Sequence, residues 1–343
     1  SRLYPEFLFP GKTQYDESGD AHRVDSERLI DSINPFTWVR TGFRIARKKP
    51  DAVIVQWWHP YFAPALAKIC SIVRMFSRTR VIFLCHNVIP HERSLIDRML
   101  TAIAFAPANG FIVHSADDLG NLRKMKPGAR AVVNPHPIYD FFRSGELSRE
   151  EARRQLGEPA GPLLLFFGYI RPYKGLKFLI EAMKEIRKTL PARLLVVGEF
   201  YEDKTPYVDQ VRGLGLSDSV RFVDRYVGNE EVQQYFSACD LVVLPYTTAT
   251  QSGIAQISIA FERPMIVTRA GGLPEVVVEG KTGFVVPPGD PAAIAEKAAA
   301  FFAGGLAADM APFFEEEKIR FSWGSMAANI VGLIEDITGA RDG

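Results

Sequence analysis

Short, almost wholly apolar runs alternate with helical patterns along most of this chain, and that alternation limits what it can fold into. In the first half the runs are DAVIVQWW, RVIFLCHN, GFIVHS and RAVVNPHP; in the second they are PLLLFFGYI, ARLLVVGEF, VRFVDRY, DLVVLPY, PMIVT and TGFVVPP. A strand that is apolar at nearly every position is covered on both faces, as in a parallel sheet. Helical patterns separate the runs at 34–48, 63–76, 96–105, 177–189, 230–238, 252–261 and 291–302. The expected class is α/β, with two doubly wound, Rossmann-like parallel-sheet domains facing a ligand cleft at the carboxyl ends of their strands. The polar stretch from Phe141 to Pro162, ending in Gly and Pro, marks the break between them. The expected domains are 1–145 and 146–322, followed by a terminal segment, 323–343. The first clear strand begins only near Asp51. The chain therefore reads as lacking a first strand–helix unit, either as a fragment or because its first sheet is built differently.

Composition narrows the function classes. The 343 residues carry a formal net charge of +1, which offers no general attraction for nucleic acid. No apolar run reaches the length of a membrane span, and the N-terminal SRLYPEFLFPGK lacks the apolar core of a signal peptide. Cys70, Cys85 and Cys239 are widely spaced and lie in apolar contexts, which fits small buried hydrophobes in a reducing cytoplasm. No cluster with metal-ligand spacing is visible. Asp117-Asp118 and Glu202-Asp203 read as surface pairs, so no metal and no other cofactor is expected.

The stretch LLLFFGYIRPYKGL, Leu163–Leu176, carries the first chemical signal. An apolar strand ends at Gly168, two cations follow at Arg171 and Lys174, and Gly175 closes the turn before a helix. The N–H groups at a helix start add partial positive charge to such a loop, which suits a diphosphate. The loop alone reads equally as a solvated turn with surface cations. It is not a Walker loop, because G-x-x-x-x-G-K-[ST] is missing. A second strand ends at Pro245, followed by Thr, Gln and Ser, with Ser252 as a helix N-cap candidate before Gly253. Two helix starts and two cations in one cleft could neutralise a leaving diphosphate.

In order along the chain, FFGYIRPYKGLKFLIEAM, LLVVGEF, VRFVDRYVGNEEVQQYFSACDLVVLPY, GGLPEVVVEGKTGFVVPPGDP and RFSWGSMAANIVGLIEDI resemble the retaining glycosyltransferases of family 4, of GT-B fold. The resemblance runs from about Pro50 to Trp323 and is strongest over Leu163–Asp290. It implies transfer of a sugar from a nucleotide-diphosphate donor to an acceptor hydroxyl with retention of configuration, in bacterial polysaccharide or glycolipid assembly. The donor would bind the second domain and the acceptor (a sugar, a lipid-linked sugar or a small molecule) the first. The last helix would pack back on the first domain. Lys174 matches the lysine that contacts the donor diphosphate. Tyr169 occupies the place of the family's arginine, so Arg171 would serve from two residues on. Gly168, Gly175, Gly198, Tyr226, Gln251, Ser252, Gly253, Ile254 and Glu275 fall at donor-binding positions, and His86 falls where the family often has a histidine near the donor sugar. The family's two glutamates, eight positions apart, are replaced by Ala249 and Ile257.

Other histidines carry less signal. His59 and His136 sit at strand ends and read as structural, with the cleft within their reach; His22, His91 and His114 are given no role. From Arg40 to Arg80 there are nine basic residues and one acid, Asp51. ALAKICSIVRMFSRTR within that stretch reads either as a solvated surface or as an amphipathic helix resting on anionic lipid, a peripheral contact at the inner face of the membrane. Two rival functions remain at this point: a nucleotide-sugar-binding subunit without turnover, which the missing glutamates favour, and a nucleotide-sugar epimerase. A dinucleotide oxidoreductase is disfavoured, because no G-x-G-x-x-G follows a strand.

Overall fold

A computed structural model of the chain describes residues 26–88 and 94–339. His22 and His91 lie outside the described residues. The chain divides into two compact units: one runs to Asn134 and takes in the chain from Met326 onward, and the other is Pro135–Ser325. All ten apolar runs noted above are strands.

The first unit contains α1 (Pro35–Lys48), β1 (Ala52–Trp57), α2 (Ala63–Phe76), β2 (Arg80–Cys85), α3 (Leu95–Phe105), β3 (Gly110–Val113), α4 (Ala116–Met125) and β4 (Ala131–Val133). Its four strands are all parallel, in the order β1-β2-β3-β4. Strand β2 shows why its sequence is apolar throughout. Val81, Phe83 and Cys85 join a core with Trp57, Phe105 and Phe111. Ile82 and Leu84, on the opposite face, pack with Ile112 against Met326, Leu333 and Ile337 of the C-terminal helix, Trp323–Gly339. The terminal segment thus closes the second face of the first sheet. Helix α1 lies close on α2, where a Cβ at Gly42 would come 2.9 Å from that of Ile72. The apolar side of α2, including Ile69, Cys70, Ile72 and Val73, is buried. The hydrophobic stripe of this helix is thus packed inside the unit, while Met75 and Phe76 at its end stay exposed.

In the second unit α5 (Arg149–Leu156), β5 (Leu163–Phe167), α6 (Leu176–Thr189), β6 (Arg193–Val197), α7 (Thr205–Gly213), β7 (Val220–Val223), α8 (Asn229–Ala238), β8 (Leu241–Leu244), α9 (Gly253–Ala260), β9 (Met265–Thr268), β10 (Gly283–Val286), α10 (Pro291–Ala303) and α11 (Leu306–Arg320) follow in turn. The six strands form one parallel sheet in the order β10-β9-β8-β5-β6-β7. The winding reverses between β5 and β8, and a crevice at the carboxyl ends of two such strands is where open α/β sheets take ligands.

Residues 135–145, expected in the first domain, pack with this second unit. Ile138 belongs to its core, and the Ser144 N–H and hydroxyl donate to the Gln233 amide oxygen at 3.0 and 2.8 Å. The stretch read as a linker also contains α5. Ser148 caps its start, Gly157 ends it in the left-handed region, and Arg153 donates at 2.8 Å to Asp240, which in turn accepts from the Leu163 N–H that opens β5.

The three cysteines are buried and unlinked. Burial pushes the Cys70 thiol, and the Cys239 thiol, up to about 12, so neither behaves as a nucleophile near neutral pH.

Glycines set the closest approaches in the second unit. Gly175, at φ 69°, lies so near the Pro245 carbonyl that a Cβ would overlap it. Gly280, at φ 71°, has open space around it. Gly280→Ala should therefore cost only the left-handed penalty, about 1 kcal/mol. Gly175→Ala should cost about 3 kcal/mol, since a clash is added. Urea unfolding of the two variants checks the difference.

Candidate functional site

At the reversal of the second sheet, the loop after β5 and the loop after β8 are stitched together. The N–H and hydroxyl of Thr247 donate to the Tyr173 carbonyl at 2.7 and 3.1 Å. The close approach of Gly175 to Pro245 makes the second stitch. Residues 172–174 form a single 3-10 turn whose last side chain, Lys174, points inward and is only 8% exposed. Its ammonium lies where a Cβ at Gly168 would be 3.0 Å away, and the Ile254 side chain, from the first turn of α9, closes on the same glycine at 3.4 Å. The Tyr246 ring is 5.6 Å from the ammonium. Among the described residues no carboxylate pairs with Lys174. Burial, and then the neighbouring Arg171 charge, lower its pKa to about 8.

Gly198, at φ 140°, sits where a Cβ would overlap the Gly168 carbonyl, so the ends of β5 and β6 meet through two glycines. Gly168, Lys174, Gly175, Gly198 and Ile254 are thus gathered in one place. Ser252 occupies the N-cap position of α9 without capping it; its hydroxyl lies 3.4 Å from the buried Tyr246 hydroxyl instead. Gln251 lies against Gly272, in the segment leading to the short turn Leu273–Val276 that carries the half-buried Glu275.

Arg171 goes elsewhere. It is exposed, and its guanidinium lies 4.9 Å over the Tyr201 ring, which is itself stacked on Tyr169 at 4.6 Å. Burial and a hydrogen bond with Tyr201 raise the Tyr169 hydroxyl to about 12. Tyr226, 59% exposed, follows β7. In the first unit, the His86 imidazole holds Gln56 at 2.6 Å, and its ring is 5.4 Å from that of His114.

Residues 161–303 match the family described as Glycosyl transferases group 1. That range contains both stitched loops and α9. Residues 161–303 are a group 1 glycosyl transferase domain. Two curated relatives are D-inositol 3-phosphate glycosyltransferases from Acidothermus cellulolyticus and Catenulispora acidiphila. The first is 28% identical over 236 residues, 66% of this chain and 52% of its own length. The second is 31% identical over 241 residues, 66% of this chain and 56% of its own length. The chain thus spans about half the length of the curated relatives it matches. Among solved structures, a glycosyltransferase from Rickettsia africae superposes with a TM-score of 0.72 at 16% identity, covering 91% of this chain and 84% of its own. Anabaena HepE in complex with UDP gives 0.68 at 18% identity, covering 92% and 84%. The likeness shows the fold, two Rossmann-like parallel-sheet units of the GT-B class.

Within the glycosyl transferase domain, the positions of the two expected glutamates hold Ala249, half-buried, and Ile257, 4% exposed in the core. Sequence reading did not single out Tyr139 and took His136 as a strand-end residue. The Tyr139 ring lies over the start of α9, where a Cβ at Gly253 would come 2.9 Å from it, and its hydroxyl is 3.2 Å from His136 Nε2. Burial lowers the His136 pKa. Gln256, one turn into α9, was also unforeseen: it is fully buried and neither of its amide atoms has a partner among the described residues. The pattern NPHP marked His136 as a strand-end residue, but nothing local marked the other two.

Lys174 would set a pH dependence for an anion bound beside it. Its pKa is about 8 in the unliganded protein, and only the charged form attracts an anion. Affinity for a nucleoside diphosphate should hold below pH 8 and fall by up to about tenfold per unit above it, since binding then requires proton uptake. Calorimetric titration across pH 7–10 with wild type and Lys174→Met checks this; the variant should bind weakly and lose the pH dependence.

Proposed function

We propose that the protein moves a sugar from a nucleotide-diphosphate donor to an acceptor hydroxyl with retention of configuration, in the cytoplasm, during assembly of a bacterial polysaccharide or glycolipid. One observation carries this reading: a buried ammonium without a counter-charge among the described residues, set beside the start of α9 at the reversal of the sheet. A diphosphate would supply the missing charge. In the proposed step the bond between the sugar's anomeric carbon and the bridging oxygen breaks, and the electron pair leaves with the phosphate. The acceptor oxygen bonds to the anomeric carbon from the departing side, and its proton passes to the leaving phosphate. Lys174 and the N–H groups opening α9 would stabilise that phosphate more strongly as its charge grows, which is what lowers a barrier. Arg171 would join only by leaving Tyr201. The step as proposed needs no resident metal. The first unit is assigned the acceptor, with His86 on that side of the reaction.

A second reading rests on Ala249 and Ile257. Neither position carries a carboxylate, and Ile257 belongs to the core, which fits a nucleotide-sugar-binding subunit without turnover. Incubation with UDP-, GDP- and dTDP-sugars separates the two. The UDP bound by HepE makes UDP-sugars the first donors to try, and the curated relatives' name makes D-inositol 3-phosphate the first acceptor. Release of nucleoside diphosphate with a new glycoside of unchanged anomeric configuration is the expected outcome; binding without release across donors and acceptors would favour the second reading. Lys174→Ala should lower turnover by about tenfold or more. Near-normal turnover would remove this loop from the mechanism.

A further inference from the structure

Helix α9 opens beneath an aromatic side chain. A Cβ at Gly253 would come 2.9 Å from the Tyr139 ring and 3.7 Å from its hydroxyl. Gly253 does not have a positive φ, so the ring overhead, and not the backbone, is what a side chain there would meet. The ring is held from several sides. Ile138, just before it, is buried in the core and donates its N–H to the Phe321 carbonyl at 2.9 Å. The Phe141 and Phe142 rings stand edge-on to Tyr139 at 5.7 and 6.1 Å. His136 orients the hydroxyl. Its Nδ1 lies 3.2 Å from the Pro137 carbonyl, which can only accept, so that nitrogen carries the ring hydrogen. Nε2 is then the acceptor, and the Tyr139 hydroxyl donates to it at 3.2 Å. Burial lowers the His136 pKa and raises that of Tyr139, so the pair is neutral at neutral pH. With its hydrogen given to His136, the Tyr139 oxygen is left as an acceptor.

We propose that Tyr139, oriented by His136, reads a hydroxyl of the sugar carried on the diphosphate. This role rests on the reading of Lys174 and the start of α9 as the diphosphate site, and adds which side chains face what the diphosphate bears. Ile254 follows Gly253 and closes on Gly168 beside the Lys174 ammonium. Tyr139 and Lys174 therefore meet adjoining residues of one helix turn, and an anion seated there presents its sugar to the phenol. The chemistry favours a neutral hydroxyl over a second anion. A phenol oxygen whose hydrogen is already committed attracts an O–H and repels a carboxylate. Tyr139 determines specificity by contact; His136 is a positioning residue that acts through it.

The test is calorimetric titration of the full chain with UDP, GDP and dTDP, and with the glucose, galactose and N-acetylglucosamine conjugates of UDP, GDP-mannose and dTDP-glucose. Tyr139→Phe keeps the ring over Gly253, so its thermal melting and its affinity for the sugar-free diphosphate should match wild type. Its affinity for the sugar nucleotide that wild type binds should fall about tenfold. His136→Phe should show the same selective loss to a smaller extent. Monodeoxy forms of that sugar nucleotide put the question to the unaltered protein. One of them should bind wild type about tenfold more weakly than the intact sugar nucleotide, yet bind Tyr139→Phe no more weakly. If Tyr139→Phe weakens diphosphate and sugar nucleotide alike, or neither, the proposal is overturned, as it is by a deoxy series with no such weak member. Failure of wild type to bind any of the three diphosphates would overturn the diphosphate reading as well. Diphosphate binding that Lys174→Met abolishes, with sugar selectivity untouched by Tyr139→Phe, would overturn the role of Tyr139 alone.

Discussion

A lysine ammonium buried with no carboxylate to meet it is costly, and the second unit is arranged so that Lys174 bears that cost. Left to itself, so long a side chain would swing out to water. Here the backbone prevents it. Gly175 is held against the Pro245 carbonyl and Thr247 against Tyr173, so the turn that carries the lysine is fixed to the neighbouring loop. The Tyr246 face offers partial compensation, and the lowered pKa records the remainder. A site that has paid desolvation in advance returns it to whichever anion binds, which is the physical content of preorganisation.

Two departures from the family pattern read as parts of the same arrangement. Tyr169 stands where an arginine is usual, and it stacks on Tyr201, the ring that carries the Arg171 guanidinium. The residue that displaced one cation thus helps to station another, a short distance along the loop. Ala249 and Ile257 stand where carboxylates are usual, and Ile257 is absorbed into the core.

The strands were readable because burial on both faces leaves little choice of residue: β2 must satisfy one core through Val81 and Phe83 and another through Ile82 and Leu84. Helix α5 escaped notice for the opposite reason. Its sequence, REEARRQL, buries little beyond Ala152 and is anchored by Arg153 on Asp240, a contact that no local pattern announces. The loop glycines and Lys174 could be picked out because a strand, a turn and a helix start follow one another in sequence. Tyr139 could not, since it reaches α9 from more than a hundred positions away. Arg171 shows the limit of spacing arguments, which place a residue on the right loop without saying which neighbour will hold it.

Periodicity also cannot tell an inward face from an outward one. Helix α2 and helix α3 both showed as helical patterns, yet packing buries Ile69, Cys70, Ile72 and Val73 of the first and leaves Leu95, Ile96 and Met99 of the second in water. The net charge of +1 is blind in the same way, because it averages a strongly cationic stretch, Arg40–Arg80, with acids placed elsewhere. What matters to a ligand or a membrane is the local imbalance. In this chain it occurs at the end of the second sheet, where a single ammonium is enclosed and low polarity magnifies one charge.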